Sequence, residues 1–137
     1  MQLKHTKPCN QCPWRKDSPQ GWLGGYPPEM YADAVDNNEV PACHLQDKGP
    51  DDPRTAMCAG ALATMYMQCK SAYNTPGGDD ARKAVGLNID CFANVHEFYK
   101  YHAGKDYKPA IFRLLSDMNK QQSKRSTRRR KNFKKQG

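Results

Sequence analysis

Large aliphatic side chains are scarce in this chain. Leu, Ile, Val and Phe together supply only 17 of its 137 residues. With a net charge of +8, that scarcity excludes a fold resting on a large hydrophobic core alone and calls for a further staple, a metal or a disulfide. No window approaches the roughly 18 apolar residues of a membrane-spanning helix. The opening MQLKHTKPC has no apolar leader segment. A soluble, cytoplasmic protein is therefore expected. Period-two alternation is missing apart from a short pair near the first cysteines, and there are no internal repeats. Acidic residues are absent from Lys120 to Gly137, where nine Lys or Arg fall, while the preceding 119 residues hold 13 basic and 14 acidic side chains. The body is thus nearly neutral, and the charge belongs to a tail.

What is present reads as helix and loop. The pattern predicts a mainly α domain over residues 1–119, loop-rich at its N-terminus and stapled by metal, followed by a basic extension, disordered or partly helical, over 120–137. Helices are expected over residues 28–37, where Pro28 suits a first turn, 54–73, 79–85 and 91–102. A last helix opens at Pro109 with Ile111, Leu114, Leu115 and Met118 on one side. The strongest of these is 54–73, with Met57, Cys58, Ala61, Leu62, Met65, Tyr66 and Cys69 on one face.

Six cysteines are the candidate staple. Cys9 and Cys12 have the Cys-x-x-Cys spacing that lets two thiolates reach one tetrahedral ion. In a reducing compartment this spacing marks metal ligation or redox chemistry more often than a structural disulfide. Cys58 opens the strongest helix, where free N–H groups and the helix dipole stabilise a thiolate. On the proline-rich loop before it, Cys43 and His44 compete. Neighbours on extended chain point to opposite sides, so one ligates, with Cys43 the preferred donor and His44 the alternative. Cys69 lies 11 residues beyond Cys58, about 16 Å along one helix. It is read as a small buried hydrophobe. Cys91 is read as a helix start, and His5, His96 and His102 as ordinary surface or core histidines. Pro13 would stiffen the turn, Trp14 would shield it from water, and Lys7, Arg15 and Lys16 would offset thiolate charge.

The strings PCNQCPWR, ACH and MCAGAL resemble a family of small phage and bacterial proteins of unassigned function. Its members share a Cys-x-x-Cys-Pro-Trp-Arg opening, a Cys-His pair and a Cys-Ala-Gly on a helix. The resemblance covers residues 7–65. It implies that Cys9, Cys12, Cys43, His44 and Cys58 act together, with Trp14, Arg15 and Gly60 also matching, and it implies no activity.

The expected function is a zinc-stabilised, non-enzymatic binding module that associates with nucleic acid or with a nucleic-acid-handling host enzyme. A phage accessory or inhibitory protein is one version of it. DNA binding would fall to Lys124, Arg125, Arg128, Arg129, Arg130, Lys131, Lys134 and Lys135, which neutralise phosphates, with Phe133 available to stack on an unpaired base. The alternative is an iron–sulfur protein with the same four cysteines on a four-iron cluster. A thiol–disulfide oxidoreductase fits less well, because that chemistry expects its dithiol at a helix start in a βαβ unit. No hydrolase constellation is visible. PCNQC supplies half of a zinc-deaminase motif, but the His-x-Glu half is missing upstream. The oligomeric state is left open.

Overall fold

The computed structural model describes residues 1–49 and 52–107. Met1–Lys105 forms one compact unit, and the description below concerns it. The helix expected from Pro109, the basic extension and its candidate nucleic-acid-binding residues Lys124, Arg125, Arg128, Arg129, Arg130, Lys131, Lys134 and Lys135 lie outside the described residues.

The described residues form four α-helices: α1 (Pro28–Asp36), α2 (Ala59–Met67), α3 (Gly78–Val85) and α4 (Val95–Ala103). A 3-10 turn over Gly104–Asp106 follows, and the described residues hold no strand, only isolated bridges. The mainly α expectation therefore holds among these residues. Helix α1 packs on α4, and α2 on α3. No helix of the described residues is long and apolar enough to cross a membrane.

Helix α1 starts with a proline in its first turn, where the missing N–H costs nothing. Helix α2, AGALATMYM, is apolar around nearly its whole circumference, so it runs through the middle of the unit with Ala59 to Met65 buried. Helix α4 is capped by Asn94, whose side-chain oxygen accepts the Glu97 N–H at 2.9 Å. Glu97 reaches back to accept the Ala93 N–H, which satisfies two otherwise orphaned donors.

Two expectations need correction here. The helix expected over 54–73 is only Ala59–Met67. Upstream of it the backbone groups are committed sideways. Met57 N–H donates to Gln2 O, Cys43 N–H to Ala56 O and Cys58 N–H to Pro41 O, all at 2.8–2.9 Å. Groups bonded across to other segments cannot also close i→i−4 rings. Downstream, Cys69 N–H donates to Tyr66 O and Lys70 N–H to Met65 O, with Cys69 at φ 56°. This is a Schellman ending. It turns Cys69 out to solvent, so Cys69 is not the buried hydrophobe that helical periodicity implies. Helix α1 ends the same way, with Asn38 at φ 61° in the left-handed position.

The second correction concerns Cys91, which does not start a helix. It pairs with Arg15 in an isolated antiparallel bridge, fixed by Lys16 N–H to Asp90 O (2.8 Å) and Phe92 N–H to Trp14 O (3.0 Å). The helix begins four residues later. The bridge ties the N-terminal cysteine segment to the segment leading into α4. Beneath it, Trp14 is fully buried and stacks on Phe98 of α4, with ring centroids 3.8 Å apart and planes 13° from parallel. Phe98 is flanked edge-on by Tyr31 of α1 and by Phe92. Aromatics thus supply much of the packing that the missing aliphatics do not.

Candidate metal centre

Cys9, Cys12, Cys43 and Cys58 come from three segments. Cys9 and Cys12 sit on a tight turn closed by Cys12 N–H to Cys9 O at 3.1 Å, and the next turn is closed by Arg15 N–H to Cys12 O at 3.2 Å. The chain around Cys43 pairs with the chain entering α2 through the bridge of Ala42 with Met57. That pairing brings Cys43 beside Cys58. Cys58 is the N-cap of α2, and its Sγ accepts the Ala61 N–H at 3.4 Å.

The sulfurs interact across segments. Cys12 Sγ lies 3.7 Å from Cys58 Sγ. Two sulfurs bound to one tetrahedral zinc at about 2.3 Å stand about 3.8 Å apart. Cys12 and Cys43 both act electrostatically on the Cys9 thiol, and Cys43 also acts on that of Cys58. Among the described residues, no group of three or more His, Cys, Asp or Glu side chains is drawn together closely enough to hold a metal ion as they stand. The one close sulfur pair given among the described residues is Cys12–Cys58.

Backbone amides point at the sulfurs. Cys9 Sγ receives the Gln11 N–H, and Cys12 Sγ receives those of Trp14 and Gly60. Such donors favour the charged form of sulfur. At Cys12 the hydrogen bond from Cys58 pulls the thiol pKa down, and at Cys58 the same bond, with burial, pushes it well up. Burial raises Cys9 and pushes Cys91 up to about 12. Cys91 is a buried thiol near Cys12 and carries no partner role here.

Gly60 makes the arrangement possible. A Cβ at this position would stand 2.4 Å from Cys12 Sγ and 2.8 Å from Trp14 Cβ. The first turn of α2 can approach the Cys12 sulfur only without a side chain there.

His44 lies in a turn closed by Gln46 N–H to Cys43 O at 2.9 Å, not on the extended chain expected. Its ring meets the edge of Trp22 at 5.1 Å and packs over Gly24. Its Nε2 is shielded from solvent without a hydrogen-bond partner, and burial lowers its pKa. Trp14 does lie beside the cysteine turn, as its place in the core requires. Arg15 sends its guanidinium to Asp17, at 2.9 and 3.1 Å, and still pulls the Cys12 thiol down.

One residue that holds the turn had no sequence signal. His102 of α4 is buried, its Nε2 lies 2.7 Å from Pro13 O, and its Nδ1 accepts the Gly21 N–H at 3.0 Å. Those partners set the neutral tautomer with the proton on Nε2, donated to the carbonyl. The contact spans 89 residues, so no local pattern announces it.

The described residues form a small helical domain with one close cysteine pair, Cys12 and Cys58. The chain belongs to the family of unknown function DUF6283, whose profile matches residues 4–84, more than half of its length. The match includes Cys9, Cys12, Cys43, Cys58, His44 and Gly60, and stops short of Cys91 and His102. Comparison with characterised proteins and with solved structures finds no significant match.

Proposed function

We propose that this protein is a zinc-stabilised, non-enzymatic binding module whose basic extension associates with nucleic acid or with an enzyme that handles it. The observation carrying the metal part is the 3.7 Å approach of the Cys12 and Cys58 sulfurs. That separation suits two ligands of one ion. On a four-iron cluster each cysteine binds a different iron, and the sulfurs are held apart by the cluster's width. Amide donors to Cys9, Cys12 and Cys58 support thiolate character. Four thiolates leave no open coordination position, which favours a structural over a catalytic role. The tail's charge supports the nucleic-acid part. A phage accessory or inhibitory protein acting in a host cytoplasm is one version of this reading.

Elemental analysis and a visible spectrum of anaerobically purified protein test the metal. One zinc per chain and no colour are expected. Cys12→Ser and Cys58→Ser should lose the metal and unfold the domain, because structural zinc contributes about 10 kcal/mol or more to folding in small modules. Cys69→Ser should keep it. Iron with sulfide and broad absorption would replace zinc with the iron–sulfur reading.

A further inference from the structure

Four large apolar side chains stand exposed within one stretch of the chain: Trp22, Tyr26, Met30 and Leu45, at 41%, 45%, 54% and 54% exposure. The loop that carries the first two is pinned. Gln20 Nε2 donates to Tyr101 O at 2.9 Å, Gly21 N–H to His102 Nδ1 at 3.0 Å, and Leu23 O accepts the Tyr31 hydroxyl at 2.8 Å. Trp22 therefore sits between two anchored residues, with Leu23 buried beside it. The Trp22 ring meets that of His44, which also lies against Gly24, and Leu45 follows His44 in the turn closed by Gln46 N–H to Cys43 O. Tyr26 meets the ring of Tyr31, next to Met30 on α1. Rings left half-exposed on a pinned loop add less to folding than buried ones, and they are already ordered for binding.

The charge of this stretch has one sign. From Asp17 to Asp47 the chain carries six carboxylates, on Asp17, Glu29, Asp33, Asp36, Glu39 and Asp47, and no Lys or Arg. That is opposite to the +8 of the whole chain. We propose that this face is a docking surface for an arginine-rich peptide segment of a partner protein. Its guanidinium groups would lie on the rings of Trp22 and Tyr26, and its remaining charge would meet the carboxylates of the stretch. Guanidinium stacks well on indole and phenol rings. Exposed aromatic anchors carry much of the energy of such interfaces, and complementary charge selects the partner. The surface is separate from the tail reading above: it takes cations where the basic extension takes anions, and it needs neither the extension nor a metal.

The test uses full-length protein and a fluorescein-labelled arginine–serine repeat peptide at about 50 mM salt, where surface charges are only partly screened. Saturable binding by anisotropy is expected although the chain itself is cationic overall. Trp14 is fully buried and Trp22 is the exposed one of the two tryptophans, so bound peptide should protect the emission from acrylamide. Trp22→Ala and Tyr26→Ala should each weaken binding about tenfold, and Asp47→Lys should weaken it further as salt is lowered. Leu87→Ala, at a residue 68% exposed outside the stretch, should leave it unchanged. Melting curves show that each variant folds. If Trp22→Ala does not, Asp47→Lys at an exposed loop position carries the test. No binding, equal weakening by Leu87→Ala, or full affinity in both Trp22→Ala and Asp47→Lys overturns the proposal. So does self-association that Trp22→Ala abolishes without any peptide binding, which would make the face a contact between copies. DNA binding, measured on the same Trp22→Ala protein, should be unchanged, and its absence from the wild type would count against the tail reading alone.

Discussion

The sulfur of Cys12 stands 3.7 Å from that of Cys58, across 46 residues of chain. Each of the two is fixed by a different local device. Cys12 ends a tight turn anchored on α4 through His102 and the Trp14–Phe98 stack. Cys58 caps α2, whose approach is set by sideways bonds to residues 2 and 41. Their meeting joins the two helix pairs through the cysteine cluster, so loss of the contact should be felt throughout the unit.

Ligation at the Cys43–His44 step is expected through sulfur. Cobalt-substituted protein should show a tetrathiolate spectrum with strong charge-transfer bands. It should survive His44→Ala and be lost in Cys43→Ser. A trithiolate–imidazole spectrum abolished by His44→Ala would reverse the assignment.

Gly60→Ala places a methyl group at 2.4 Å from Cys12 Sγ and 2.8 Å from Trp14 Cβ. Neither neighbour is the free end of a flexible chain, so the turn must move. A stability loss of about 1–3 kcal/mol is expected from overpacking, with weakened retention of metal against a competing chelator. Denaturant unfolding and chelator titration read the two effects.

Acidification should destabilise the domain through His102. Burial holds its pKa below the ordinary 6.5. The unfolded chain therefore binds the proton more readily, and stability rises with pH across this window. The contribution is complete above about pH 6.5 and is lost as pH falls toward the folded value, where protonation of Nδ1 breaks the bond from Gly21. His44 shifts in the same direction, so His102→Gln should shallow the slope without flattening it. Melting curves between pH 5 and 8, about the range in which histidine titrates, measure it.

Cys69→Gly should stabilise the protein. Cys69 is exposed and occupies the left-handed position at the end of α2, where glycine carries no Cβ penalty. A gain of about 0.5–1 kcal/mol is expected, measured by denaturant midpoint, with metal content unchanged. A loss of metal would show that Cys69 belongs to the centre.

The basic extension should bind polyanions in a salt-dependent way. If about six of its cations meet phosphates, log affinity should fall against log salt with a slope near −5 on duplex DNA. Deleting residues 120–137 should flatten the slope and leave the metal in place. Absence of binding near 50 mM salt, about the low end at which such contacts are measured, would leave a protein partner recognised by the body, with the tail steering the encounter.

The helical class, the helices expected over 28–37 and 79–85, and the cysteines of interest were legible in the chain. Those properties are local: apolar spacing, a proline in a first turn, a Cys-x-x-Cys pair and a cysteine at a helix start. The ends of α2 were not legible, because Ala56 and Met57 are helix-compatible residues whose amides and carbonyls are taken up by distant segments. Cys69 was misplaced for the related reason that its spacing fits a helix that a Schellman turn had already ended. Folding alone reveals that the Cys12 and Cys58 sulfurs meet, that His44 packs against Trp22, and that His102 holds the carbonyl of Pro13. Each of these is a contact between segments far apart in the chain. Such contacts depend on how helices pack, and no periodicity within a segment encodes its partner.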